Sequence, residues 1–102
     1  MKIYIKNSDR PDKKYLAEIH DKNKIDKVYF GDTRYEDFTN HKDEKRKEKY
    51  ISRHKKNEDW TKSGLKTAGF WARWVLWNKP TLKESIEFLN KKYKNINFII
   101  MI

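Results

Sequence analysis

The fold is decided by Thr67-Ala-Gly-Phe-Trp-Ala-Arg-Trp-Val-Leu-Trp-Asn78, a stretch with three of the four tryptophans and one charge, in a chain that is 39% charged. At helical spacing Phe70, Trp74 and Trp77 share one face, and the remaining circumference is almost entirely apolar. Each aromatic side chain that is buried removes about 150–250 Å² of surface from water. No other segment of this chain could bury as much apolar surface as this stretch. The stretch therefore predicts a central core helix, in preference to an exposed aromatic binding face.

Arg73 is the single charge inside this predicted helix. A buried guanidinium without partners is unfavourable, so the side chain must reach solvent, meet a carboxylate or stack on an indole ring. The sequence leaves all three arrangements open.

Four other segments have the composition of strands. Residues 1–8 alternate apolar and polar side chains, and residues 13–20 and 24–31 flank a polar turn, which predicts an antiparallel hairpin. Residues 95–102 are β-branched and apolar on both faces from Phe98 onward, which predicts an interior strand. Together these segments predict a small antiparallel sheet.

Side chains around the hairpin can be assigned as well. Ile25, Val28 and Phe30 are the apolar side chains of the second hairpin strand that we expect to face the core. Tyr35 and Phe38 follow a glycine-containing break, and we expect them to fold over the sheet edge as an aromatic pair.

A helix is predicted over residues 42–57, with Thr39 or Asn40 as its cap. Acidic side chains lie in the first turn of this segment and basic side chains in its last turn, an arrangement that the helix dipole favours. Its apolar stripe is narrow and centres on Tyr50, so most of its circumference faces solvent.

The last helix begins after Pro80, where Thr81 and Glu84 form a capping-box match. Its apolar residues recur at positions i, i+4, i+7 and i+11 and are Leu82, Ile86, Leu89 and Tyr93. Residues 1–102 therefore predict a single compact α+β domain. In it, a small antiparallel sheet of the N-terminal strands plus the C-terminal strand packs on about three helices with a tryptophan-rich central helix.

Composition narrows the class of protein. The chain has no cysteine, which suits a reducing compartment and excludes a disulfide framework or a thiolate metal site. Its N-terminus lacks the apolar run of a signal peptide, and no stretch approaches the roughly 18 apolar residues of a membrane span. We therefore predict an intracellular protein without a membrane partner.

The charge is strongly basic and unevenly placed. Twenty-five Lys and Arg against 15 Asp and Glu give a formal net charge of +10, and no acidic residue occurs from Trp60 through Lys83. On the helix predicted over residues 42–57, basic side chains recur every three or four positions and form a basic ridge, which consists of Lys42, Lys45, Arg46, Lys49, Arg53 and Lys56. Such a surface attracts the phosphates of nucleic acid or an acidic protein.

The candidate nucleic-acid-binding residues fall into three groups. The main phosphate contacts are predicted to be Arg46, Lys49, Arg53 and Lys56. Additional contacts around them are assigned to Lys42, Lys45, Lys62 and Lys66. Arg73 is the one candidate from the tryptophan stretch. Contacts of this kind are largely independent of base sequence and fit DNA and RNA alike.

An enzymatic function would have to rest on a few acids and histidines, because the chain has no Gly-rich phosphate loop and no zinc-protease motif. His54 and Glu58, one helical turn apart, could share a divalent metal in a nuclease, but two ligands leave such a site unfinished. The alternative for His54 is a half-buried imidazole packed on Tyr50. We predict no catalytic residue, no metal, no cofactor and no small-molecule substrate.

Four strings carry a resemblance to a known family: Gly31-Asp-Thr-Arg-Tyr-Glu-Asp-Phe-Thr-Asn-His-Lys-Asp43, Arg46-Lys-Glu-Lys-Tyr-Ile-Ser-Arg-His54, Glu58-Asp-Trp60 and Thr67-Ala-Gly-Phe-Trp-Ala-Arg-Trp-Val-Leu-Trp-Asn-Lys-Pro-Thr81. They resemble small basic proteins of nucleocytoplasmic large DNA viruses, of the mimivirus-like and phycodnavirus-like groups. The resemblance spans roughly residues 15 to 95. It implies a virus-encoded protein of the virion or of the host cytoplasm or nucleus, and it supplies no catalytic residue.

Two non-enzymatic functions remain. The first, which we favour, is association with the nucleic-acid backbone through the basic ridge. The alternative is a minor capsid or virion structural protein that bridges acidic virion proteins. Its interface would use the aromatic residues that exceed the needs of one small core, Trp60, Trp71 and Tyr35. Neither function predicts a particular oligomeric state.

Overall fold

Four strands form the sheet of the computed structural model, which describes residues 1–102. They are β1 (Lys2–Asn7), β2 (Lys13–Asp21), β3 (Lys24–Asp32) and β4 (Asn97–Met101). Their order across the sheet is β3-β2-β1-β4. Neighbouring strands among the first three run antiparallel, which confirms the predicted hairpin.

The position of β4 differs from the prediction in two ways. It pairs in parallel with β1, with Phe98 opposite Ile3, so the sheet is mixed rather than antiparallel. It also lies at the edge of the sheet rather than in its interior, and Met101 and Ile102 are 55% and 58% exposed. Parallel pairing is possible because the long helical connection between β3 and β4 can return the chain in the direction of β1.

The helical part of the chain lies between β3 and β4. Its elements are α1 (Phe38–His41), α2 (Glu44–His54), a 3-10 turn (Lys62–Gly64), α3 (Ala68–Trp71), a π-helical turn (Ala72–Leu76) and α4 (Leu82–Lys92). The predicted α+β fold with a tryptophan-containing central helix is thus confirmed. The cap of α4 is also as predicted, since Thr81 Oγ1 accepts the backbone N–H of Glu84 at 3.2 Å. None of these helices has both the length and the apolar character needed to cross a bilayer.

The helix α2 is shorter at both ends than predicted and has a different cap. Asp43 Oδ1 accepts the backbone N–H of Arg46 at 3.3 Å, and this bond lowers the pKa of the Asp43 carboxyl. Lys42 has a left-handed backbone with φ of 55°, which ends α1 and separates the two helices. Thr39 and Asn40 lie inside α1, so their assignment as caps of α2 is wrong.

The tryptophan stretch lies at the centre of the core. Phe70, Trp71 and Val75 are completely buried, and the indole N–H of Trp71 donates to the carbonyl oxygen of Leu65 at 2.7 Å. These side chains share one apolar cluster with residues of every strand, namely Ile3, Ile5, Ala17, Ile19, Val28, Phe30 and Phe98. The predicted core helix is therefore the element on which the sheet packs.

The burial of this segment is uneven, because Trp74 and Trp77 are only half-buried. In the π-helical turn the N–H of Trp77 bonds the carbonyl of Ala72, five residues earlier, at 3.0 Å. The wider turn rotates the side chains away from α-helical positions and sends Val75 inward. Trp71 is the largest fully buried side chain, so its assignment to an interface with capsid proteins is wrong.

Two side chains near the hairpin are exposed against expectation. Ile25 is 58% exposed, because it lies an odd number of residues from Val28 and so points to the opposite face of β3. Tyr35 is 66% exposed in the turn between β3 and α1, whereas Phe38 is almost fully buried. The expected aromatic pair over the sheet edge does not form.

Gly64 is the position where the loop before α3 has no room for a side chain. A Cβ at this residue would lie 1.9 Å from the carbonyl oxygen of Asp59. We expect Gly64→Ala to lower the free energy of unfolding by about 1–3 kcal/mol, because the Asp59 backbone must move. Urea unfolding followed by circular dichroism measures this, with Lys62→Ala in the same turn as the control. An unchanged midpoint in Gly64→Ala would contradict the predicted clash.

Candidate nucleic-acid interface

Three basic side chains of α2 converge on one cleft. Helical spacing places Arg46, Lys49 and Arg53 along one flank of α2, next to the buried Tyr50. All four residues line a cleft of about 700 Å³, which lies between α2, the end of β3 and the tryptophan segment. The central part of the basic ridge is therefore the wall of a concave site rather than a purely convex surface.

The floor of the cleft is a stack of aromatic rings. The rings of Tyr50 and Trp77 lie 4.4 Å apart at an interplanar angle of 4°, and His54 stacks on Tyr50 at 4.3 Å. The expectation that His54 packs on Tyr50 is thus confirmed. Burial raises the pKa of the Tyr50 phenol far above its usual range. The Tyr50 ring therefore contributes an uncharged aromatic surface to the floor.

The far wall of the cleft is the turn after β3, and its three carboxylates are each paired with a cation. Asp32 Oδ2 lies 2.8 Å from the Arg34 guanidinium, whose hydrogen bonds lower the pKa of the Asp32 carboxyl to about 2. The other two pairs are Asp37 with Lys14 at 2.7 Å and Glu36 with Arg46 at 3.5 Å. The negative charge of this wall is thus largely compensated within the protein.

Lys49 and Arg53 are the uncompensated charges of the cleft. Both side chains are exposed, and neither has a carboxylate within 4.0 Å, in contrast to Arg46. Because no internal anion competes for them, they are available to an external anion. The cleft consequently has a net positive wall formed by two neighbouring turns of α2.

The structure disperses the other candidate residues. Lys45 lies beside Lys49 and Arg53 along a shallow depression on the outer side of α2. Lys42, Lys56 and Lys62 are exposed but do not line the cleft. Lys66 forms an ion pair with Asp26 of β3 at 3.1 Å, so it is already partnered elsewhere on the surface.

Arg73 is half-buried among aromatic rings. Its guanidinium carbon lies 4.4 Å from the ring centroid of Trp74 and 5.5 Å from that of Trp60, and Nη1 donates to the carbonyl oxygen of Trp77 at 2.8 Å. Burial lowers the pKa of the Arg73 guanidinium. Of the three arrangements open from the sequence, the structure has the indole stack, and Arg73 does not line the cleft.

The two candidate metal ligands are engaged with each other. His54 Nδ1 lies 3.1 Å from Glu58 Oε2, and Glu58 Oε1 accepts the indole N–H of Trp60 at 2.8 Å. No group of three or more His, Cys, Asp or Glu side chains is arranged to hold a metal ion. In this geometry the pair fixes the loop that carries Trp60.

The far wall of the cleft is what reasoning from the sequence missed. Tyr35 and Glu36 belong to a turn that has no periodic pattern, and Asp32 ends β3 just before it. Nothing in the sequence indicates that this turn faces α2. The one available signal is Asp37 followed by Asn40, which cap α1 reciprocally and so end the turn. That signal locates the turn but not its neighbour.

A family model described as a family of unknown function (DUF5754) matches residues 3–54. The match covers just over half of the chain, from β1 through α2, and includes both walls of the cleft but not the tryptophan segment. No curated protein matches the chain, and neither does any solved structure.

Proposed function

The chain belongs to the DUF5754 family of unknown function, and we propose that it is a non-enzymatic protein that binds the phosphate backbone of nucleic acid, largely without sequence specificity. The observation that carries the proposal is the arrangement of Arg46, Lys49 and Arg53 along one flank of α2. Two of these cations have no acidic partner.

The geometry of α2 suits a backbone contact. Its 11 residues span about 16 Å at the usual rise of an α-helix, and they carry four exposed residues of the basic ridge, Lys45, Arg46, Lys49 and Arg53. A row of ammonium and guanidinium groups of this length can follow several successive phosphates and release their counterions. Such contacts position a protein on nucleic acid without reading the bases, which is the reason for proposing low sequence specificity.

Salt dependence is the direct test of the proposal. If about four to six phosphates are neutralised, we expect log K for duplex DNA to fall with log salt at a slope of about −4 to −5. Fluorescence anisotropy of a labelled duplex over a series of salt concentrations measures the slope. An affinity that does not change with salt, or no binding at low salt, would rule out the proposed function.

A second candidate is a minor capsid or virion protein that bridges other capsid proteins. Two consecutive exposed apolar side chains at the edge strand β4 favour it, namely Met101 and Ile102, because an edge strand has free backbone groups that can pair with another protein. Trp71 no longer contributes to this candidate, since it is buried. A purified protein that stays monomeric, and that is absent from dissected capsid shells, would exclude it.

We propose that the protein is encoded by a virus and is located in the virion or in the cytoplasm or nucleus of the host cell. Support comes from the resemblance to small basic proteins of large DNA viruses, which the strings around Tyr50 and the tryptophan segment carry. Fractionation of virus particles into shell and nucleoid, followed by immunoblotting, tests the setting. Recovery with the nucleoid is expected for a nucleic-acid-binding protein, whereas recovery only with the shell fits the second candidate.

A further inference from the structure

We propose that the cleft beside α2 takes one unpaired nucleotide of a single strand, whose base stacks on Tyr35 while its phosphate contacts Lys49 and Arg53. The inference rests on the proposed function and deepens it. It assigns single-stranded nucleic acid as the preferred ligand of the site.

Tyr35 is an exposed aromatic ring with no packing role. It is 66% exposed, more than any other large apolar side chain in the structure, and it lines the cleft on the wall opposite α2. The guanidinium carbon of Arg34 lies 5.6 Å from its ring centroid. An aromatic ring in this position offers a surface on which a base can stack.

The turn that carries Tyr35 is ordered before any ligand arrives. The backbone N–H of Tyr35 donates to the carbonyl oxygen of Asp32 at 3.2 Å, and that of Arg34 donates to Asp32 Oδ1 at 2.9 Å. These bonds fix the backbone of the turn, so binding has to order only the Tyr35 side chain and not the segment that carries it. The backbone is thus fixed on both walls, since the cations of the other wall lie on the helix α2.

The two walls match the two chemical parts of a nucleotide. Tyr35 supplies a planar partner for a base, and Lys49 and Arg53 supply cations for a phosphate across the same cleft. The acids between them do not repel the phosphate strongly, because Asp32, Asp37 and Glu36 are each paired with a cation. A cleft of about 700 Å³ also falls in the range of roughly 300–1,000 Å³ that is typical of small-ligand sites.

Stacking on Tyr35 selects an unpaired base. Inside a duplex a base presents its edges to the grooves and keeps its faces against its neighbours, so it cannot stack on a protein ring without leaving the helix. A base in a single strand is free to do so. The basic ridge by itself binds either form, and the cleft adds affinity only for the single strand.

The test compares Tyr35→Ala with the unaltered protein on two probes, a short fluorescein-labelled oligothymidylate and a labelled blunt-ended DNA duplex that has no unpaired base. We expect Tyr35→Ala to weaken oligothymidylate binding on the order of tenfold, which is the effect of losing one base stack, and to leave duplex binding unchanged. Tyr35→Phe keeps the ring and is expected to restore single-strand binding. Ile25→Ala removes another exposed apolar side chain, which does not line the cleft, and is expected to change neither affinity.

The possible outcomes separate the inference from the proposed function. If Tyr35→Ala binds both probes as tightly as the unaltered protein, or loses both equally, the nucleotide site is wrong, while salt-dependent binding by the basic ridge still stands. If the unaltered protein binds neither probe in a salt-dependent manner, the proposed function fails and the inference with it. Circular dichroism of each variant confirms that the fold is retained.

Discussion

Replacing Trp71 with alanine is expected to lower the free energy of unfolding by about 3–5 kcal/mol, the range measured for the loss of large buried aromatics. Trp71 has no exposed surface and contacts the rings of Phe30, Phe70 and Phe98 at centroid distances of 5.1 to 6.0 Å. Its removal leaves a cavity where the sheet meets the central helix. Small domains have a total stability of about 5–15 kcal/mol, so this single change is expected to remove a large share of the stability of the protein.

The hydrogen bond of Trp71 adds to this loss. Its indole N–H is the partner of the Leu65 carbonyl oxygen at 2.7 Å inside the core, and a buried acceptor left without a donor is unfavourable by about 1–3 kcal/mol. Trp71→Phe keeps most of the apolar area but not the hydrogen-bond donor. We therefore expect its free energy of unfolding to lie between that of Trp71→Ala and that of the unaltered protein.

Urea unfolding followed by circular dichroism measures these differences. Tyr35→Ala serves as the control, because it removes an aromatic ring that is mostly exposed and should change stability by less than about 0.5 kcal/mol. A Trp71→Ala protein with nearly unaltered stability would show that the tryptophan segment is not the centre of the core.

Neutralising the cleft wall is expected to have the largest effect on binding. The triple variant Arg46→Gln, Lys49→Gln, Arg53→Gln should bind duplex DNA on the order of 100-fold more weakly at about 0.1 M salt. Its slope of log K against log salt should be smaller in magnitude by about 3, because each phosphate contact contributes about 0.9 to that slope. Glutamine has a helix propensity similar to that of lysine and arginine, so α2 should remain folded. Glu36 loses its partner in this variant, but that pair is exposed and contributes little to stability.

A second triple variant controls for the overall charge. Lys24→Gln, Lys27→Gln, Lys94→Gln removes three exposed lysines that form no ion pair and do not line the cleft. It has the same net charge as the first variant and is expected to lose only a small part of the affinity through the weaker long-range field. Equal losses in the two variants would assign binding to the net charge of +10 as a whole rather than to the basic ridge.

The parts of the fold that local patterns specify were predictable from the sequence. The hairpin of β2 and β3 follows from alternation around a polar turn, and α4 follows from its Thr81 cap and an apolar repeat. Burial of the tryptophan segment follows from its composition, because so much apolar surface could not be left in water. Each of these inferences uses residues close together in the chain.

The predictions that failed depended on geometry that no local pattern contains. The assignment of Trp71 to an interface failed because its full burial depends on how the sheet packs on the central helix, and the adjoining π-helical turn leaves Trp74 and Trp77 half-buried instead. The direction and edge position of β4 depend on how the preceding helices cross the sheet. In the same way, the sequence does not distinguish Lys66 from the lysines of the basic ridge. Only the structure shows that Lys66 forms an ion pair with Asp26 of β3.

The sequence by itself determined the α+β class, the tryptophan-rich core and the basic flank of α2, because helical and strand periods fix which side chains share a face. Only the tertiary structure decided that this flank faces the turn carrying Tyr35 across a cleft, and that Lys49 and Arg53 have no acidic partner there. The physical reason is that pairing of charges and enclosure of a cleft depend on distances between segments far apart in the chain. Those distances are set by how the elements pack around Trp71 and not by the residues that line the site.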